Sequence, residues 1–316
     1  MAVYYMANLV TIAIPFMLCK LYPIRDVFYR FCVGMAYATA ASTPLTLLLS
    51  GSSGSHMGDV SDQLTLFAII ALNDCLGLMA VLYLVWNRSM SKRRAIVLST
   101  SLLAGLYLTF GKTEIIALAV AGMVYTLLAP GTFKRRLMRI LLMAAGIGIG
   151  WIAVASKIDD YLSSSGSTET LSGRIILWTQ TLAQISNGPF IRGFGFYSFQ
   201  EIGPNPWRNP NGIVHAHNEF LQVWFNLGLV GVALVFGMYF ALGFTSLRSL
   251  RRKGGFVPTL ILAAVVYCLI RGLAEGSPNI CTFPIPWLLL FDCLVSTPVS
   301  ERIGRAIPER IPIGSP

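Results

Sequence analysis

Long apolar stretches alternate with short polar connections along the whole chain. The apolar runs fall at roughly 3–19, 31–49, 64–86, 95–110, 115–130, 140–156, 220–244, 256–273 and 281–297. A helix needs about 17–25 such residues to cross ~30 Å of hydrocarbon, and most of these runs reach that length. The pattern predicts an all-α, polytopic integral membrane protein with about nine transmembrane helices. One connection stands apart: the polar loop 157–219, far longer than joining two helices requires. Within it Leu171, Ile175, Trp178, Leu182 and Ile185 recur at helical spacing. That predicts a short amphipathic helix over 172–186, lying on the membrane surface with Ser172 as its N-cap. The organisation expected is a single transmembrane domain, 1–316, with the loop 157–219 inserted between helices six and seven.

The polar connections carry a sidedness signal. Segments 20–30, 87–94, 131–139 and 245–255 and the tail are alternate connections, and together they hold 18 of the 24 lysines and arginines. Basic residues accumulate on the cytoplasmic side. The odd helices therefore run outside to inside, the loop 157–219 is extracytoplasmic and the C-terminus is cytoplasmic. The N-terminus falls outside, with Met1 opening directly into a helix. No basic segment precedes that helix and no small-residue cleavage site follows it, so no removable signal peptide is expected. This start leads us to expect that one or more helices found in relatives are missing here.

Composition sharpens two points. Charged residues make up 12% of the chain and hydrophobic residues 55%, whereas a soluble domain carries about 25% charge. The net charge of +10 is explained by the cytoplasmic connections, so it is a topology signal and not a nucleic-acid footprint. The six cysteines lie in or beside apolar runs, with no CxxC pair, and read as small apolar filler. No D-x-D metal site, P-loop or cluster of metal ligands occurs in the sequence, which disfavours a nucleotide-sugar enzyme built around a divalent ion. Neither a metal nor a cofactor is expected.

Candidate chemistry gathers on the outer side. All three histidines lie there, as do Lys112, Lys157, Arg174, Arg192, Arg208 and Arg271. Several short motifs follow one another in order: Ser172-Gly173-Arg174 with Leu177-Trp178, Gly193-Phe194-Gly195-Phe196 with Ser198-Phe199, His217-Asn218 leading into Leu221-Gln222, and Leu227-Gly228-Leu229-Val230-Gly231. With the turn Gly111-Lys112-Thr113-Glu114 before them, these motifs resemble the O-antigen ligase/polymerase family of bacterial cell-surface polysaccharide pathways. The resemblance covers roughly 95–240. At the turn, relatives tend to have Ser followed by Arg or Lys.

The resemblance implies a membrane glycosyltransferase of the bacterial inner (cytoplasmic) membrane. Such enzymes move a glycan from a polyprenyl-diphosphate carrier to an acceptor hydroxyl, on a glycan or on a lipid-linked acceptor, beside other polysaccharide-assembly proteins. The residue chemistry suits that reaction. Guanidinium groups hold phosphate oxygens bidentately, and a neutral imidazole accepts a hydroxyl proton near neutral pH. His217 is the candidate base, with His215 two residues away as its substitute; an interfacial helix anchor is the other role open to His217. Arg174 and Lys112 are candidate diphosphate contacts, against the alternatives of a headgroup contact and a snorkelling lysine. Arg192 and Arg208 are candidate glycan or phosphate contacts. Arg271 is a further one, although a structural pair with Glu275 fits it better. Two other readings stay open: a secondary transporter using the intramembrane Asp74 and Asp292, and an inactive, truncated relative. The choice between polymerase and ligase, the sugar and the oligomeric state are not written in the sequence.

Overall fold

The computed structural model describes residues 24–52, 77–85, 90–108, 112–134, 136–138, 140–141, 171–196, 198–204, 216–253 and 255–274. Among the described residues every regular element is helical. The helices are α1 (Ile24–Ser52), α2 (Lys92–Leu108), α3 (Lys112–Leu128), α4 (Leu171–Asn187), α5 (Ser198–Ile202), α6 (Glu219–Lys253) and α7 (Phe256–Ala274), and residues 77–85 are helical as well. The apolar runs at 31–49, 95–110, 115–130, 220–244 and 256–273 thus fall on helices. The runs 3–19 and 281–297 and nearly all of 140–156 lie outside the described residues, as do His215, Arg208, Asp74 and Asp292.

Two separate cores hold these helices. The larger joins α1, residues 77–85, α2, α3, α7 and the C-terminal part of α6, through residues such as Cys32, Leu84, Leu102, Ala117, Tyr239 and Tyr267. The smaller joins α4, α5 and the start of α6 through Leu177, Ile185, Phe199, Ala216, Leu221 and Phe225. Outward from the larger core point Ile96, Val97, Ile116, Leu234 and Phe240, a set of exposed apolar side chains that hydrocarbon solvates better than water. By length and composition, Glu219–Arg252 and Phe256–Leu273 qualify to cross a membrane.

The first of those two is not a straight rod. Gly228 adopts φ 67° and ψ −168°, outside the helical region, in the middle of α6. A straight helix would separate Phe220 and Phe236 by ~24 Å at 1.5 Å per residue. Their rings instead stack at 4.6 Å between centroids. The chain therefore doubles back at Gly228 into a hairpin with a short first arm, 219–227, and a long second arm, 229–253. This corrects the expectation of one crossing helix over 220–244. Only the second arm, ~37 Å long at 1.5 Å per residue, has the reach of a membrane span.

Glycine at the bend is obligatory. A side chain on Gly228 would run into the carbonyl of Ile191 and the nitrogen of Gly193, and one on Gly193 (φ 71°) would run into Asn226 and Gly228. Breaking a helix frees carbonyls before the break and N–H groups after it, and buried ones must find partners. The loop after α4 supplies them. Phe194 and Gly195 donate their N–H groups to the carbonyls of Phe225 and Asn226 at 2.9 Å each, while Leu229 and Val230 donate to the carbonyls of Phe190 and Ile191 at 3.1 and 3.3 Å. Asn226 fastens the strap further. Its side-chain oxygen accepts from the Phe199 N–H at 3.0 Å and the Ser198 hydroxyl at 3.2 Å, which seats α5.

Candidate active site

The buried stripe of α4 is Leu177, Thr181 and Ile185, with Trp178 half-buried beside it. Ile175, Ile176 and Leu182 are exposed, so the apolar residues divide between a face that packs on α6 and positions left uncovered. The helix begins at Leu171, which places Ser172 in the first turn and not at the cap. Arg174, half-buried, stands one helical turn before Trp178 on the packed face. The Trp178 indole donates to the Ala216 carbonyl at 2.9 Å, and the Ala216 N–H donates to the buried side-chain oxygen of Gln222 at 3.0 Å. Both contacts pin the residue next to His217.

His217 has φ 50°, the left-handed conformation that few residues other than glycine adopt, and its Nδ1 is closed to solvent. Asn218 then caps the first arm of α6, its side-chain oxygen accepting from the Leu221 N–H at 2.9 Å. The amide end of the same side chain donates to the Leu273 carbonyl of α7 at 3.0 Å. One residue on, the Glu219 carboxylate is buried against Gly272; a Cβ built there would lie 3.1 Å from Oε2. The Arg271 guanidinium, also buried, acts on that carboxylate through its charge. From Asn218 an open groove of about 310 Å³ runs between the hairpin arms and α4, lined by Trp178, Leu182, Phe220, Trp224, Val232 and Phe236 among others.

The candidates from the sequence separate into those that converge and those that do not. His217 lies in the 216–219 turn, the Arg271 charge acts on Glu219 of that turn, and Arg174 stands one helical turn before Trp178, whose indole bonds to Ala216. Lys112 approaches through the backbone: Tyr125, near the end of α3, meets Phe256, at the start of α7, with ring centroids 5.6 Å apart. The two helices are packed together, and antiparallel packing brings Lys112, the first residue of α3, to the end of α7 that holds Arg271. Of the expected turn Gly111–Glu114, Lys112, Thr113 and Glu114 fall in the first turn of α3 and Gly111 lies outside the described residues. Arg192 is exposed and belongs to the strap at the hairpin tip, ~15 Å along the first arm from Asn218. It does not join the cluster. His215 and Arg208 lie outside the described residues.

Glu219, Gln222 and Asn226 were not singled out with roles in the sequence, yet all three are buried and each holds part of the site. Their spacing, i, i+3 and i+7 within an apolar run, was the available signal, because it marks one polar stripe facing protein and not lipid. The Arg271 pairing with Glu275 falls outside the described residues; the carboxylate found bearing on Arg271 is that of Glu219.

Residues 97–236 match the family described as O-antigen ligase. Over that stretch the chain is similar to the O-antigen ligase family. It starts in α2 and ends in the second arm of α6, so it contains Lys112, Arg174, His217 and the whole strapped bend but not α7. The O-antigen ligase family consists of bacterial membrane enzymes of the ligase/polymerase type, acting in polysaccharide and lipopolysaccharide biosynthesis. The two apolar helices agree with a membrane protein. No curated protein matches the chain.

Proposed function

We propose that this protein is a membrane glycosyltransferase that moves a glycan from a polyprenyl-diphosphate carrier to an acceptor hydroxyl, at the outer face of the bacterial inner membrane. The reading is carried by the fixed turn at 216–219, where an imidazole on a left-handed backbone sits between the Trp178–Ala216 bond and the Asn218–Leu273 bond, next to the buried Glu219 on which the Arg271 charge acts. His217 takes the proton of the attacking hydroxyl, and Arg174 and Lys112 hold the departing diphosphate. These cations come from the chain itself, and the proposed displacement at the anomeric carbon is written without a metal. Arg192, at the tip, is a candidate contact for the glycan or its phosphates, as are Arg208 and His215. The proposed architecture is one transmembrane domain of about nine helices, with the segment 157–219 outside.

A broken helix is also a feature of secondary transporters, where unwound backbone coordinates cargo. Here the carbonyls freed at Gly228 accept from the strap instead, so the bend supports the enzyme reading. The test is transfer by the purified protein in detergent from a polyprenyl-diphosphate oligosaccharide, followed by gel. Product formation by the wild type is expected, and its absence with every lipid-linked donor tried refutes the reading. Deletion of the gene then separates the two acceptor classes: single repeat units point to a polymerase, and long chains stranded on the carrier point to a ligase.

A further inference from the structure

A carboxylate and a guanidinium buried together are costly. Taking two charges out of water is repaid by their attraction only in good geometry, and well-packed apolar residues are often as stable. Glu219 and Arg271 are each 4% exposed, on helices whose other residues are largely apolar. Stability alone is a weak reason for such a pair, and an ionisable residue among apolar helices reads first as functional. Its position says what the function is. Glu219 opens the first arm of α6, two residues after His217 and next to the capping Asn218. Gly272 lets the carboxylate close on α7, where its missing side chain leaves 3.1 Å between an ideal Cβ and Oε2. Asn218 bonds to Leu273 one residue further on. Three successive residues of α7 thus receive two successive residues of the turn.

We propose that Glu219, closed against Gly272 of α7, is a positioning residue for His217: it fixes the first turn of the arm against α7 so that the imidazole stands at the acceptor hydroxyl. The proposal rests on the glycosyl-transfer reading and adds to it a part outside the matched stretch of the chain. The Trp178 contact secures this turn from the loop side, and the Asn218–Leu273 bond with the approach of Glu219 to Gly272 secures it from α7. Arg271 serves here through its charge on the carboxylate. A base shifted by ~1 Å loses about 100-fold in rate, whereas donor binding, made by other groups, is unaffected.

The test is the split between kcat and donor KM in the purified enzyme, with thermal stability measured alongside. Glu219→Asp keeps the charge but shortens the reach by one methylene, so kcat is expected to fall about 10–100-fold with donor KM within about twofold of wild type. Gly272→Ala guards against a variant that fails to fold. It leaves both charges in place and favours helix, yet its methyl must push the carboxylate by a few tenths of an ångström. A several-fold loss of kcat without loss of melting temperature is expected, which a merely structural pair would not produce. Wild-type kcat in both variants overturns the proposal, and so does a loss carried mainly by donor KM, which would make Arg271 a diphosphate contact. A wild-type protein inactive on every donor removes the glycosyl-transfer reading and this inference with it. An active wild type with indifferent variants removes the inference alone.

Discussion

His217 places two demands on one backbone position, a left-handed φ of 50° and an imidazole held at the turn, and this decides how it is tested. Alanine would mix backbone strain with lost chemistry, whereas asparagine tolerates the left-handed region. His217→Asn is expected to leave thermal stability near wild type while transfer falls about 10²–10⁴-fold, the usual worth of a positioned base. His215→Ala is expected to cost about tenfold or less; if the two variants exchange places in the gel assay, the base is His215. Arg174→Lys keeps the charge but loses the planar fork, and should cost about 2–4 kcal/mol of transition-state stabilisation in kcat/KM for the donor. A lysine variant as good as wild type makes Arg174 a headgroup contact. At this scale the sequence was informative where a polar pair interrupts an apolar run. His217-Asn218 marked a helix start, and Asn218 is the cap. The link between Glu219 and Arg271 stayed hidden because it joins residues 52 positions apart on two helices, which no local pattern reports.

At the scale of elements, the strapped bend makes the sharpest claim. Gly228→Ala places a side chain in a left-handed position and against the Ile191 carbonyl, and the backbone part alone costs about 1–3 kcal/mol. A clear fall in melting temperature is expected. Gly237→Ala, on the same helix with nothing within 4 Å of the added carbon, should be neutral or stabilising by about 0.5–1 kcal/mol. Equal responses from the two would mean the bend is absent. Proximity gives an independent measurement: cysteines at Phe220 and Phe236 should be joined by a short bifunctional thiol reagent, whereas a straight helix holds them ~24 Å apart. The helical stretches of α2, α3 and α7 were legible from apolar run length because one number, hydropathy, sets them. The fold-back of α6 was not, since the run 220–244 stays apolar through Gly228 and a lone glycine inside a helix is common. The motif Gly193-Phe194-Gly195 was visible in the sequence, but its reason lies in backbone contacts with a segment more than thirty residues away.

For the whole molecule, the basic connections predict which side faces the cytoplasm. In a background without native cysteines, single cysteines at Ser165 and Asn211 are expected to react with an impermeant thiol reagent in intact spheroplasts, and those at Ser89 and Ser249 are not. The reverse pattern would place the proposed site in the cytoplasm, away from any outer-face carrier lipid.

Chain order gives the α6–α7 contact a further consequence during synthesis. The strap, α4 and the first arm emerge from the ribosome close together, and the bend has all its partners once Val230 has been made. What grips the turn from the other side, Arg271, Gly272 and Leu273, is made some forty residues later, at the end of α7. A nascent chain stalled after α6, or one whose last described helix fails to insert, carries His217 without that grip from α7. Under the proposed mechanism, transfer waits on the completion of α7, and an unfinished copy leaves a lipid-linked donor unused.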